Sequence, residues 1–377
     1  MSTFNSDDVV FSARYFLYYL GLFFLCCALY NTVTNQVSQM YRFFAVISIL
    51  LFLSVGMAFW LRIYFELEVN IHTIFSFSNP RFLNQIQVWL VIPLLYMSIL
   101  NIKRNKNIII LNFALMLSVA VIIATDARGI SIALFSVVIL WSLIDGAWRR
   151  EILTLSFKVA ILGYIIKLII LSPVPGFIFG DGILDFGTIR TDSPGRLQLW
   201  KDSLSLIDFL GGGGGYFVCT SEYNDSPKFG HPHNSMLQAL IEWGALAAIS
   251  YCLLLASLFY KVITTNRRIV RVSGLSLLAG FAYSFVSGVL VMPLSQLLAV
   301  LSIAIFWHRL KGKSPSQKGK YTNSFSSLLL IAASLIVFSL IDMGGERIEM
   351  YQSGFLQNEQ IENERVRIDF WLGHNCS

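Results

Sequence analysis

The chain has 377 residues, of which 55% are hydrophobic, 14% aromatic and only 13% charged, with a net charge of +6. A soluble domain carries charged residues at about twice that fraction, so the composition excludes an ordinary soluble enzyme and describes an all-α, polytopic transmembrane helical bundle. The positive charge sits in short loops between apolar runs rather than on a basic soluble face, which excludes nucleic acid as a partner.

In chain order, apolar runs long enough for a helix to cross roughly 30 Å of hydrocarbon predict ten spans, near 9–30, 41–61, 86–102, 108–124, 130–146, 152–171, 236–260, 273–291, 294–308 and 324–343. The first is too long and aromatic for a signal peptide, and no small-residue cleavage site follows it. The alternating pattern of an outer-membrane barrel is absent. Basic residues in KRNKN (103–107), WRRE (148–151), KVITTNRRIVR (261–271) and HRLKGKSPSQKGK (308–320) mark the cytoplasmic loops. Both termini then lie on the opposite face, with a long loop over 172–235 and a tail over 344–377. In a bacterium that face of the inner membrane is the periplasmic one. The whole chain, 1–377, reads as a single integral membrane domain. Of the five cysteines, only Cys219 and Cys376 are placed where they could pair outside the membrane.

Arg128, in DARG (126–129), falls at the outward tip of a hairpin between two spans. It reads either as a residue snorkelling to the interface beside Asp126 or as an anion clamp. In the sixth span Lys158 can reach the cytoplasmic interface and Lys167 the outer one, where a phosphate contact is conceivable.

The long loop opens with SPVPGFIFGDG and continues into TDSPGRLQLWKDSLSLI, an amphipathic helix with Ser193 as N-cap, Pro194 at the first position and Leu197, Trp200, Leu204 and Ile207 on one stripe. Arg196 falls in its first turn. A cation is mildly unfavourable there unless an anion binds too, and a guanidinium beside free backbone N–H groups suits phosphate. A solvated surface arginine is the alternative. GGGGG (211–215) reads as a hinge, because a phosphate loop would need a following Gly-Lys-Ser/Thr.

The seventh span begins HPHNSMLQALIEWG (231–244). His231 and His233 lack a visible third ligand for a metal. Either could line a helix entrance or act as a general base, and His233 is the better base because it adjoins Asn234, the expected N-cap. Asn234, Gln238 and Glu242 are spaced four apart and form a polar stripe that should avoid lipid, with Glu242 about two turns below the surface.

Arginines, a histidine and a polar stripe at one membrane face, without a nucleotide-binding loop, point to a substrate that carries its own leaving group. A lipid-linked diphosphate sugar does so: arginines neutralise the departing diphosphate while a histidine deprotonates an acceptor hydroxyl. A transporter or flippase of an anionic lipid is the alternative of a different class, though such proteins hold their charges near the midplane.

DARG, SPGRLQLWKDSL, the glycine-rich stretch and HPHNSMLQALIEWG, in this order, resemble the O-antigen ligase and O-antigen polymerase superfamily of bacterial membrane glycosyltransferases, mainly over 120–260. The resemblance implies a bundle of the type C glycosyltransferase kind and metal-independent, inverting transfer without a cofactor from an undecaprenyl-diphosphate-linked glycan. It also implies Arg128 and Arg196 on the diphosphate and His233 as catalytic base, with His231, Asn234, Gln238 and Glu242 in support. The acceptor would be lipid A–core for a ligase or a second lipid-linked repeat unit for a polymerase. The sequence departs from the pattern in having DARG where a serine often precedes the arginine.

Overall fold

The computed structural model describes residues 2–5, 9–32, 37–67, 69, 74, 81–179, 196–220, 231–311, 327–339 and 341. The expected caps Ser193 and Pro194, Cys376 and the tail 344–377 fall outside them, as does the side chain of Cys219. The principal helices are α1 (Val9–Thr32), α2 (Val37–Tyr64), α3 (Arg81–Lys103), α4 (Ile109–Ala124), α5 (Arg128–Ile144), α6 (Arg149–Ile170) and a short α7 (Val174–Phe179). They continue as α8 (Arg196–Ser205), a short α9 (Tyr216–Thr220), α10 (Ser235–Thr264), α11 (Arg268–Ser284), α12 (Pro293–Lys311) and α13 (Ser327–Ser339).

Every expected span has a helix, and six helical stretches are long and apolar enough to cross a membrane. Helices α4, α5 and α13 are apolar but shorter. The eighth span is displaced: expected over 273–291, it forms over Arg268–Ser284, and a non-helical stretch fills 285–292. Ser284, Ser287 and Gly288 interrupt the apolar run there, and the helix stops at the first of them.

The chain forms two compact units. One contains Asn35–Asp192 and Leu258–Tyr283. Its most enclosed element is α3, buried from Leu83 to Ile99. Lipid offers no hydrophobic drive between helices, so close approach and interhelical hydrogen bonds hold them. A Cβ on Gly163 would lie 2.8 Å from the Val119 side chain, and one on Gly280 would strike the Trp89 ring. Asn84 Nδ2 donates to Thr125 Oγ1 (2.8 Å), Gln87 Nε2 to the Ser118 carbonyl (3.0 Å) and Ser276 Oγ to the Trp89 carbonyl (3.0 Å).

Three of the expected basic loops meet at one end of this unit. Arg268 grips Asp145 through two hydrogen bonds (2.9 and 3.2 Å), Arg271 approaches the same carboxylate at 3.6 Å, and Lys103 pairs with Glu151. The Arg268 guanidinium also lies 4.6 Å from the centre of the Trp148 ring. Loops 103–107, 145–151 and 265–267 therefore share one end, as the charge pattern predicts.

The other unit contains Met1–Thr34, Ser193–Ser257 and Ser284–Ser377. Tyr18, Leu22 and Cys26 of α1 pack on Val300 and Ala304 of α12, and the Tyr18 hydroxyl donates to Gln296 Oε1 (2.6 Å). Helix α10 is broken at Gly244, where the backbone adopts φ 81 and ψ −177. The part after the break, 245–264, is by itself about 30 Å long at about 1.5 Å per residue, enough to cross a bilayer core. Residues 235–243 form a separate short helix before it.

The oligoglycine stretch docks on this break. Gly212 N–H donates to the Ile241 carbonyl (2.9 Å), Gly213 N–H to the Glu242 carbonyl (2.8 Å) and Ala245 N–H to the Phe209 carbonyl (3.0 Å). Gly214 N–H donates to Ser12 Oγ of α1 (2.9 Å). All five glycines are buried. The hinge expectation is thereby corrected: bare backbone is needed here for close approach rather than for freedom of movement. A Cβ on Gly211 would lie 2.4 Å from the Gly244 nitrogen, and one on Gly244 would lie 2.6 Å from the Leu210 carbonyl.

The conformation of Gly244 is essentially closed to other residues. Gly244→Ala should therefore release the 209–215 segment, lowering the thermal unfolding midpoint in detergent and opening protease cleavage between 206 and 216. A midpoint and digest equal to wild type would show that the break tolerates a side chain.

Candidate functional site

Arg128 is the first residue of α5, exposed at the tip of the α4–α5 hairpin. Asp126 takes a left-handed conformation (φ 47), and its carbonyl accepts from Arg128 N–H (3.1 Å), which makes the turn tight. Behind it the Asn84–Thr125 pair anchors the end of α4 to α3. Lys167 is only 4% exposed, so it packs within the helical interior, while Lys158 is exposed.

The other singled-out residues all lie in the unit built on α1, α8, α10 and α12. Arg196 is the first residue of α8 and half-buried. Helix α8 is amphipathic: Leu199 and Ser203 are its buried positions, while Leu197 and Leu204 of the expected stripe face outward. Leu199 packs with Phe217 and Ile241, and this leaves Leu197 66% and Leu204 58% exposed. An exposed apolar face on a polar-backed helix is what a membrane surface takes up. Trp200 fastens α8 to the HPH stretch: its indole N–H donates to the Pro232 carbonyl (2.9 Å). Arg196 precedes Trp200 by one turn on the same helical face.

Asn234 caps α10 as expected, its Oδ1 accepting from the N–H groups of Met236 and Leu237 (3.1 Å each). Gln238 Nε2 donates to Glu242 Oε1 (3.2 Å) along the predicted stripe. Glu242 lies two residues before the break at Gly244. Glu242 is 1% exposed and lies at the end of the short helix 235–243.

His233 is half-buried and left-handed, with φ 53. Its backbone N–H donates to His231 Nδ1 (3.1 Å), and the two rings meet edge to face with centroids 4.2 Å apart. Loss of hydration pushes the His231 imidazole down to about 4, so this ring is neutral at pH 7. With Nδ1 accepting, the proton of the neutral ring sits on Nε2. Among the described residues, no set of three or more His, Cys, Asp or Glu is arranged to hold a metal ion.

Two features of this site escape sequence reasoning. Ser235 Oγ bonds both the Tyr251 hydroxyl (2.8 Å) and Ser284 Oγ (2.7 Å), tying the start of α10 to its own body and to residue 284. Gly288 supports the His231 ring, since a Cβ there would lie 2.4 Å from Nε2. The polar interruption at Ser284, Ser287 and Gly288 within an apolar run is the only trace of either in the sequence.

Residues 113–252 match the family described as O-antigen ligase, a stretch that contains Arg128, Arg196, His231, His233, Asn234, Gln238 and Glu242. No curated protein and no solved structure matches the chain. The family match supports the O-antigen ligase and polymerase superfamily, and with it ligase- or polymerase-type glycan transfer by a multi-pass membrane protein.

His231 also makes a pH prediction. Its folded value lies below the ordinary imidazole value of 6.5, so its contribution to stability is intact above pH 6.5 and is lost as the pH falls towards about 4. Wild type should lose thermal stability more steeply over that window than His231→Asn, measured as unfolding midpoint against pH. Parallel curves would show that His231 titrates normally.

Proposed function

We propose that this protein transfers a glycan from undecaprenyl diphosphate to a lipid A–core acceptor, on the periplasmic face of a bacterial inner membrane. The reading rests on the O-antigen ligase family match over residues 113–252, and the Trp200–Pro232 hydrogen bond, which ties the helix carrying Arg196 to the stretch carrying His233, supports it.

In this reading an acceptor hydroxyl attacks the anomeric carbon, the bond from that carbon to the diphosphate oxygen breaks, and the configuration inverts. His233 takes the hydroxyl proton as the new glycosidic bond forms. Undecaprenyl diphosphate leaves, and arginine charge offsets the charge growing on it. Arg196 serves this at the start of α8, where the helix N-terminus also favours a negative charge. Arg128, also first in its helix, is assigned to the same diphosphate by the resemblance. Asn234 fixes the backbone next to the base, and Gln238 and Glu242 support the helix that carries it. No metal or cofactor is required for these steps.

A ligase and a polymerase share this chemistry and differ in acceptor. Deletion of the gene in its host separates them. Core lacking all polymer, with lipid-linked chains accumulating, supports the ligase; core bearing a single repeat unit overturns it in favour of polymerase.

His233→Ala should abolish transfer while protein level and donor lipid remain normal, as read by lipopolysaccharide gels and by lipid extraction. Arg196→Lys keeps the charge but loses the planar fork, so the rate should fall by about tenfold or more, the size of one charge-assisted hydrogen bond. Unchanged transfer in His233→Ala would remove the base, and an unchanged rate in Arg196→Lys would remove the clamp.

A further inference from the structure

We propose that His231 is a positioning residue for the base, seated on Gly288 and holding the backbone and ring of His233 in their working arrangement. This rests on the reading of His233 as base. A left-handed conformation is unfavourable at a residue with a side chain, so something must stabilise it at His233. The hydrogen bond from His233 N–H to His231 Nδ1 does so directly (3.1 Å). The edge-to-face ring contact then limits where the His233 imidazole can point.

The seat of His231 explains why the ring stays there. Its Nε2 and Cε1 lie 2.4 and 2.5 Å from where a Cβ on residue 288 would be, so the ring occupies space that only a glycine leaves open. Gly288 belongs to the non-helical stretch between α11 and α12, far from His231 along the chain. Pro232, between the histidines, is pinned from the other side by Trp200. The base is thus fixed by a neighbouring ring, and that ring by a bare patch of backbone in another element. Because Nδ1 must accept, His231 works as a neutral ring; it takes up no proton in the transfer.

The test uses the full-length protein in proteoliposomes with lipid-linked donor and acceptor, and compares His231→Ala, His231→Asn, His231→Gln and Gly288→Ala. Asparagine places a carbonyl oxygen near the position of Nδ1, whereas glutamine places its polar end nearer that of Nε2. Displacing a reacting group by about 1 Å costs roughly 100-fold. His231→Ala and His231→Gln should therefore lose kcat on that scale with little change in donor KM, and His231→Asn should recover most of it. Gly288→Ala should reproduce the His231→Ala defect without touching either histidine.

Thermal midpoints and size-exclusion profiles establish that each variant is folded. Should His231→Ala fail to fold, the contrast between His231→Asn and His231→Gln decides. Equal kcat in those two variants, or wild-type kcat in folded Gly288→Ala, would overturn the positioning role. Full activity in His233→Ala, run beside them, would instead overturn the base itself.

Discussion

The outer part of the site depends on one constraint: a backbone broken inside a membrane protein must still satisfy its N–H and C=O groups. Helix α10 breaks at Gly244, and the 209–215 segment supplies the missing partners through its own main chain. That exchange sets α8, the oligoglycine and the HPHN entrance on one framework, since the same segment follows directly from α8. A side chain at Gly211 or Gly244 would separate the two backbones. The short helix 235–243 is therefore a platform in its own right, with the Gln238–Glu242 hydrogen bond along it.

The other unit answers the same problem differently. Its helices stay continuous and are joined by polar side chains at their ends: Asn84 with Thr125 at one end, Asp145 with Arg268 and Arg271 at the other. Asp145 is nearly inaccessible to solvent, and two guanidiniums supply the compensation that a buried carboxylate needs. The stacking of Arg268 on Trp148 orients that compensation. Loop charges that orient a membrane protein here also lock helix ends together.

Much of this was legible in the residues. Apolar run length gives the helices, the basic loops give the end at which Lys103, Arg149 and Arg268 gather, and Asn234 reads as a cap because its side chain suits one. The misreadings have physical causes. GGGGG gives no local sign of whether it is loose or tightly docked; that depends on Gly244, a distant residue. The apolar stripe of α8 is visible in the residues, but its packed face is not: tertiary contacts bury Leu199 with the small Ser203 and leave Leu197 and Leu204 outward. The link between Trp200 and Pro232 depends on a backbone carbonyl, which carries no sequence signature at all.

The outward-turned Leu197 and Leu204 have a practical meaning for purification. Detergent must replace the leaflet along a helix that also carries Arg196, and a micelle that wraps only the crossing segments leaves those leucines facing water. Extraction would then disturb the surroundings of Arg196 while circular dichroism still looked native. Solubilisation conditions for this protein are better ranked by transfer rate than by helical content.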